Sequence, residues 1–93
     1  MRIMNGVRPI LLADGVVRRV DPVGRDLEVA VAGTLVAFDV GPDCTVTLRG
    51  ERVKLRMVQP QDRVRVAYTD GPATLVATAV DVQPGTGPSS GYR

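Results

Sequence analysis

The side chain best suited to nucleophilic chemistry in this sequence is the single cysteine, Cys44. A catalytic thiol is normally activated by a neighbouring base, most often a histidine, and the sequence contains no His. Cys44 alternates with Val46 and Leu48, so it is predicted to point into a core as a small apolar side chain. The absence of His also removes the commonest ligand of transition metals. We therefore expect no catalytic residue, no metal site and no cofactor.

The carboxylates offer a second route to catalysis, because general acid–base chemistry needs two acidic side chains that converge in a cleft. Most of the Asp residues are instead predicted at turns or strand ends, where Asp bonds its own backbone; these are Asp14, Asp21, Asp43, Asp62, Asp70 and Asp81. Glycine-rich loops of the kinds that cradle nucleotide phosphates are also absent from the sequence. The chain is predicted not to be an enzyme.

One pattern of charge suggests a binding function. Twelve basic residues outweigh ten acidic ones, and the basic side chains alternate with apolar ones in two nearby segments. If the segments are neighbours, they form a basic stripe that could contact nucleic-acid phosphates; its members are Arg49, Arg52, Lys54, Arg56, Arg63 and Arg65. Stacking aromatics are missing, because Phe38 and Tyr68 are predicted in the core. The alternative is a solvated face that keeps a valine-rich barrel soluble.

These side chains must be positioned by strands, because the apolar residues of the middle of the chain recur with a period of two. The alternating runs are Leu27-x-Val29-x-Val31, Val36-x-Phe38-x-Val40, Cys44-x-Val46-x-Leu48 and Val64-x-Val66-x-Tyr68. Turn residues separate the runs at positions 21–24, 41–44, 49–50, 59–62 and 70–72. Gly24 is expected to take a positive φ after the first of these turns. The pattern predicts an all-β fold.

Two kinds of break in the alternation carry information. Val17 and Val20 can both face the core only if a β-bulge supplies an extra residue, and Ala77 and Val80 have the same spacing. Leu55 and Val58 can share one turn of helix. We predict a small five- to six-stranded OB-like barrel with at most one short helical turn, since barrel closure removes the exposed edges of a small sheet.

The composition divides the chain into three parts. Residues 1–9 are predicted to form a flexible N-terminal arm, residues 10–82 the OB-like barrel, and residues 83–93 a disordered tail rich in Pro, Gly and Ser. No apolar run approaches the roughly 20 residues of a membrane span, and the start of the chain lacks the apolar stretch of a signal peptide. We expect a cytoplasmic location, or a periplasmic or secreted one if a leader was removed, and no membrane contact.

The order of these motifs resembles the small bacterial OB-like β-barrel domains of unknown function, and the chain is distantly similar to the periplasmic copper-binding OB-like barrels. The motifs are Gly15-x-Val17-x-x-Val20-Asp21 and Leu55-x-x-Val58-x-Pro60-x-Asp62-x-Val64-x-Val66. Gln61 replaces the glycine of the family pattern, which would cost roughly 1 kcal/mol if its φ is positive. The copper-binding barrels use His, Met and Trp as ligands. His and Trp are absent here, and the Met residues match no ligand cluster; they are Met1, Met4 and Met57.

The sequence therefore favours a non-enzymatic binding or adaptor module that contacts nucleic-acid phosphates through its Arg-rich face. The alternative is a protein-interaction or self-assembly module, in which Ile10, Leu11 and Leu12 or an open edge strand pairs with a partner or with a second copy of the chain. Neither hypothesis includes a metal ion or a cofactor.

Overall fold

A computed structural model describes residues 9–83 of the chain. The elements are β1 (Leu11–Asp21), β2 (Asp26–Val31), β3 (Thr34–Leu48), β4 (Glu51–Arg52), one 3₁₀ turn (Leu55–Met57), β5 (Arg63–Asp70) and β6 (Leu75–Val82). The predicted arm and tail lie outside the described residues except for Pro9 and Gln83, so both stay predictions. Within residues 9–83, no helix has the length and apolar character needed to cross a membrane.

Five of the strands close into a barrel in the order β1-β5-β6-β3-β2, and the β2–β3 and β1–β2 pairings complete the ring. β4 is an extra short strand that pairs with the end of β3. β3 and β6 run parallel, and the other neighbours are antiparallel. The predicted all-β, OB-like barrel with one short helical turn is confirmed.

β1 is shared between two neighbours and bends at the predicted bulge. Its first half pairs with β5, its second half pairs with β2, and the register with β2 shifts between Val17 and Arg19. A Cβ on Gly15 would lie 2.2 Å from the carbonyl oxygen of Ala30, so β1 and β2 approach closely at this glycine. The second predicted bulge is also present, because the β5–β6 register shifts and both Ala77 and Val80 are fully buried.

β3 departs from the prediction, which placed a proline-led turn at 41–44 between two separate strands. The structure has one bent strand, and its register with β6 shifts between Val40 and Thr45. β6 pairs with β3 on both sides of this shift, so its parallel ladder holds the two halves of β3 in one strand. The turn prediction is therefore wrong: residues 41–44 form a bulge.

The barrel interior is filled almost entirely by aliphatic side chains from all five closing strands. Phe38 is buried, and its ring centroid lies 5.1 Å from that of Tyr68. The 3₁₀ turn adds Leu55 and Val58 to the core, as their spacing predicts, while Met57 stays 52% exposed. Burial of these apolar side chains is the main stabilising contribution to the barrel.

Two turns show how polar side chains and left-handed residues direct the chain. The Asp21 carboxylate accepts hydrogen bonds from the amides of Val23 and Gly24, as a type I turn led by Asp-Pro should. The positive φ predicted for Gly24 belongs instead to Arg25, at 61°. That prediction is wrong, because the residue that re-enters the strand follows the closed turn and is Arg25. In the turn before β5, Gln61 has a φ of 82°.

Candidate functional site

The two segments that carry the predicted basic stripe are not adjacent in the barrel. β4 pairs with β3, and β6 separates β3 from β5. One transverse row nevertheless connects them: Arg52 lies opposite Thr47, Thr47 opposite Asp81, Asp81 opposite Arg65, and Arg65 opposite Asp14. At about 4.8 Å per strand, Arg52 and Arg65 are roughly 14 Å apart along this row. Asp81 lies between the two arginines and interrupts the basic stripe, and Asp14 flanks Arg65 on the other side.

Arg65 is the member of the stripe most closely bound to the barrel. Its Nε donates a 2.8 Å hydrogen bond to Oδ1 of Asp14, and Nη2 lies 3.4 Å from Oδ2. This bond lowers the pKa of the Asp14 carboxyl and raises the pKa of the Arg65 guanidinium. The next acid in the row, Asp81, accepts hydrogen bonds from Thr47 and Gln83. The guanidinium of Arg65 therefore has a carboxylate partner before any ligand arrives.

The other basic residues of the stripe are exposed, and within residues 9–83 none of them forms an ion pair; they are Arg49, Arg52, Lys54, Arg56 and Arg63. Arg49 belongs to the β3–β4 hairpin turn, where it and Gly50 have φ values of 56° and 81°. It lines a groove that also contains Glu51 and Asp62. Arg49 therefore faces a mixed-charge surface.

Lys54 and Arg56 line a second groove together with Arg25, a residue that the stripe did not include. We call it the Arg25 groove; it has a volume of about 350 Å³ and is lined by Pro22, Arg25, Pro42, Cys44, Val46, Val53, Lys54, Leu55 and Arg56. Among the described residues of its lining, every charged one is basic. The spacing of Arg25 matches neither basic segment, so only the folding of β3 against the first turn brings it to Lys54 and Arg56.

Arg25 is held in place at both its backbone and its side chain. Its carbonyl accepts a 2.9 Å hydrogen bond from the amide of Val40, and its Nη2 donates one of 2.9 Å to the carbonyl of Gly41. The remaining N–H groups of its guanidinium have no hydrogen-bond partner within residues 9–83. Cys44 lies beside it, half-buried: burial raises the pKa of the thiol, and the positive charge of Arg25 partly opposes that rise.

The face formed by β2 and β3 has the opposite charge. OB-type barrels often bind ligands on this face and on the adjoining loops. Here Asp26 lies directly opposite Asp39, and Glu28 follows on β2. Arg19 compensates part of this charge, because its Nη1 lies 3.4 Å from Asp26 and 4.0 Å from Glu28. The acidic side chains make this face a poor surface for phosphates.

Comparisons with known proteins show the fold and no family. No protein-family model matches the chain, and no curated protein sequence matches it. Among solved structures, apo-CusF from Escherichia coli has a TM-score of 0.69 and 12% identity, over 90% of this chain and 99% of that one. CusF bound to Ag(I) has a TM-score of 0.69 and 13% identity, over 87% and 100%. A CusF variant with Cu(II) has a TM-score of 0.64 and 13% identity, over the same shares.

These neighbours correct one expectation from the sequence. The sequence predicts no metal ion as a partner, because His is absent, Cys44 is the single thiol and the Met residues match no ligand cluster. That exclusion is wrong, because barrels of the same fold were solved with Ag(I) and Cu(II). The sequence could not support this exclusion, because soft ions also bind the thioether sulfur of Met and the grouping of the Met side chains depends on the fold.

A metal centre needs several donor side chains grouped around one point. Within residues 9–83, no three His, Cys, Asp or Glu side chains are grouped to hold an ion. The two sulfur atoms of this region line different grooves, Cys44 the Arg25 groove and Met57 the groove of Arg49. These residues do not assemble a recognisable metal centre. The chain thus has the small OB-like barrel fold of CusF at 12–13% identity, with a different set of side chains on it.

Proposed function

We propose that this barrel is a non-catalytic binding module that contacts the phosphates of single-stranded nucleic acid through its exposed basic side chains. The observation that carries the proposal is the absence of ion pairs, within residues 9–83, for Arg49, Arg52, Lys54, Arg56 and Arg63. Basic side chains without an acidic partner are free to replace the counterions of a phosphate backbone. Arg65 contributes less, because Asp14 already neutralises it.

The charge distribution defines how such binding should behave. Each neutralised phosphate of a single strand contributes about −0.7 to the log–log dependence of affinity on salt, so five contacts give a slope of about −3.5. Phe38 is buried and Tyr68 packs beside it, so neither can stack on a base. Binding should therefore be weak and tolerant of sequence, because phosphate contacts carry no base information.

Two matched variants test the proposal by fluorescence anisotropy with a labelled oligothymidine. R49Q/R52Q removes two unpaired cations, whereas R19Q/R65Q removes two cations that have carboxylate partners, so the net charge falls equally. We expect the first variant to flatten the salt slope by about 1.4 and the second to change it much less. Absence of binding at about 50 mM salt, or equal loss in both variants, would refute nucleic-acid binding.

Self-assembly is the second candidate, and it is favoured by the start of β1. Ile10, just before β1, and Leu11 and Leu12 at its start are 57%, 42% and 64% exposed. Within residues 9–83, this half of β1 pairs with β5 alone. An apolar strand segment with one free edge can pair with a second copy. Light scattering tests this candidate: the mass should double as the concentration rises, and Leu12→Lys should return it to the monomer value. If this result is obtained and oligonucleotides fail to bind, self-assembly replaces the nucleic-acid proposal.

Metal binding must be assayed in parallel, because CusF was solved with Ag(I) and Cu(II). A saturable rise in Tm with Ag(I) would reveal a site in the folded protein that binds this ion. Loss of this rise in Met57→Leu or in Cys44→Ser would identify the sulfur donor. Metal binding would then replace phosphate binding as the primary function.

The resemblance to periplasmic copper-binding barrels also favours the periplasmic location over the cytoplasmic one.

A further inference from the structure

The Arg25 groove gathers three cations around one small cavity. Arg25, Lys54 and Arg56 contribute to its lining, and no carboxylate among residues 9–83 does. We propose that this groove binds a terminal phosphate monoester, the group found at a phosphorylated strand end or on a mononucleotide. This site rests on the proposed function and deepens it, because the Arg25 groove would distinguish the terminal phosphate of a strand from the phosphates of its interior.

The charge of the groove favours a monoester over the diester of a strand interior. A phosphate monoester carries about −1.5 to −2 charges near pH 7 and three terminal oxygens, whereas a diester carries one charge. Three cations can neutralise the monoester fully, and guanidinium groups can bind two of its oxygens at once. A diester would leave part of this positive charge uncompensated. The groove should therefore prefer the doubly charged group.

The groove is also largely organised before a ligand arrives. Arg25 is anchored by its 2.9 Å bond to the Gly41 carbonyl, and Pro22 and Pro42 restrict the two backbone segments that form its walls. A cation held in place loses less conformational freedom on binding than one on a free side chain. All three side chains are exposed, but Arg25 is the fixed member of the site. Lys54 and Arg56 have no such bond within residues 9–83 and can close over a ligand.

Apolar side chains form the rest of the lining. Val46 and Leu55 are each only 5% exposed, and Val53 packs against the core. Attraction between opposite charges is stronger next to an apolar surface than in open water. These three cations should therefore attract a phosphate more strongly than Arg49 and Arg52 do on their hairpin.

The first experiment compares one oligothymidine with a 5′-phosphate, a 3′-phosphate or hydroxyls at both ends. We expect a phosphorylated end to raise affinity about tenfold, the effect of one or two charge-assisted hydrogen bonds. Replacing Arg25 would also remove its hydrogen bond to Gly41, so the test relies on the variant K54Q/R56Q. Lys54 and Arg56 have no ion-pair partner within residues 9–83. This variant should lose the preference. R49Q/R52Q should weaken the binding of all three oligonucleotides equally and keep the preference for a phosphorylated end.

The second experiment uses Cys44 as a reporter, because it is the single cysteine of the sequence and lines the groove. A mononucleotide should slow the alkylation of Cys44 by neutral iodoacetamide in a saturable way, and the matching nucleoside should not. K54Q/R56Q should abolish this protection. Equal protection by the nucleoside, or none by the mononucleotide, would contradict the phosphate site.

The outcomes separate the two proposals. Equal, salt-dependent binding of all three oligonucleotides would leave the proposed function standing and reject the terminal-phosphate site. Protection of Cys44 by a mononucleotide, together with binding of the phosphorylated oligonucleotides alone, would support the groove and reject binding to the phosphates of the strand interior.

Discussion

Nε of Arg65 on β5 lies 2.8 Å from Oδ1 of Asp14 on β1, and the two residues are directly opposed in the antiparallel register. This pair joins the two strands at the outer face of the barrel. It also removes Arg65 from the cations available to an anionic ligand, while Asp81 on the other side of Arg65 extends the alternation of charge. One cross-strand pair therefore both ties β1 to β5 and limits the basic surface.

Removing this pair should make stability less dependent on acid pH. The bond to Arg65 depresses the pKa of Asp14 in the folded state, so its stabilising effect is present above the unfolded pKa of about 3.9 and is lost as pH falls through the folded value. Asp14→Asn should lower the urea midpoint at pH 7, and its midpoint should converge on that of the unmodified chain as the pH falls below the unfolded pKa of Asp14. Both side chains are exposed, so high salt should narrow the difference. A difference that persists at low pH would show another role for Asp14.

Gly15→Ala should destabilise the barrel strongly. The added Cβ would lie 2.2 Å from the Ala30 carbonyl oxygen and 2.7 Å from Cγ1 of Val29, so the backbones of β1 and β2 would have to separate. We expect a loss of about 2–3 kcal/mol in unfolding free energy, measured by urea denaturation. Gly41→Ala is the matched control, because its Cβ meets nothing closer than 3.6 Å, and it should change stability by about 0.5 kcal/mol or less. Equal effects would rule out the close approach as the cause.

Gln61→Gly should stabilise the chain. Gln61 occupies the left-handed region with a φ of 82°, where a side chain is strained and glycine is not. Part of the relief is offset by the greater freedom of glycine in the unfolded chain, which leaves a gain of about 0.5 kcal/mol and a rise of roughly 2–4 °C in Tm. Gln59→Gly, in the same turn but at a residue without positive φ, should lower Tm. A fall in Tm for Gln61→Gly would contradict the strain.

The thiol of Cys44 should titrate above a free cysteine, because burial raises its pKa more than Arg25 lowers it. The pH dependence of its alkylation by iodoacetamide measures this value directly. Arg25→Gln removes the positive charge that stabilises the thiolate, so it should raise the pKa further and slow alkylation at pH 8. Arg25→Lys keeps the charge and should preserve most of the effect. A thiol that titrates at or below the value of a free cysteine would contradict the burial of this side chain.

The local pattern of the chain was enough to predict most of the strands, the bulges of β1 and β6 and the single helical turn. Alternation places Val64 and Val66 on one face of a strand whatever the strand pairs with, because successive side chains of extended backbone point to opposite sides. The spacing of Ala77 and Val80 requires a bulge for the same local reason. The class of fold follows from these short-range constraints together with the need to cover one apolar face of every strand.

Which strands are neighbours, by contrast, depends on pairing between distant residues. Gly41 and Pro42 are compatible with a turn or with a bulge, and only the parallel ladder of β6 decides for the bulge. The same long-range register places Asp81 between Arg65 and Thr47, and brings Arg25 to Lys54 and Arg56. Charge alternation along one strand contains no information about the strand beside it, because register is set by the packing of apolar faces across the whole barrel. The candidate site is therefore a property of the tertiary structure.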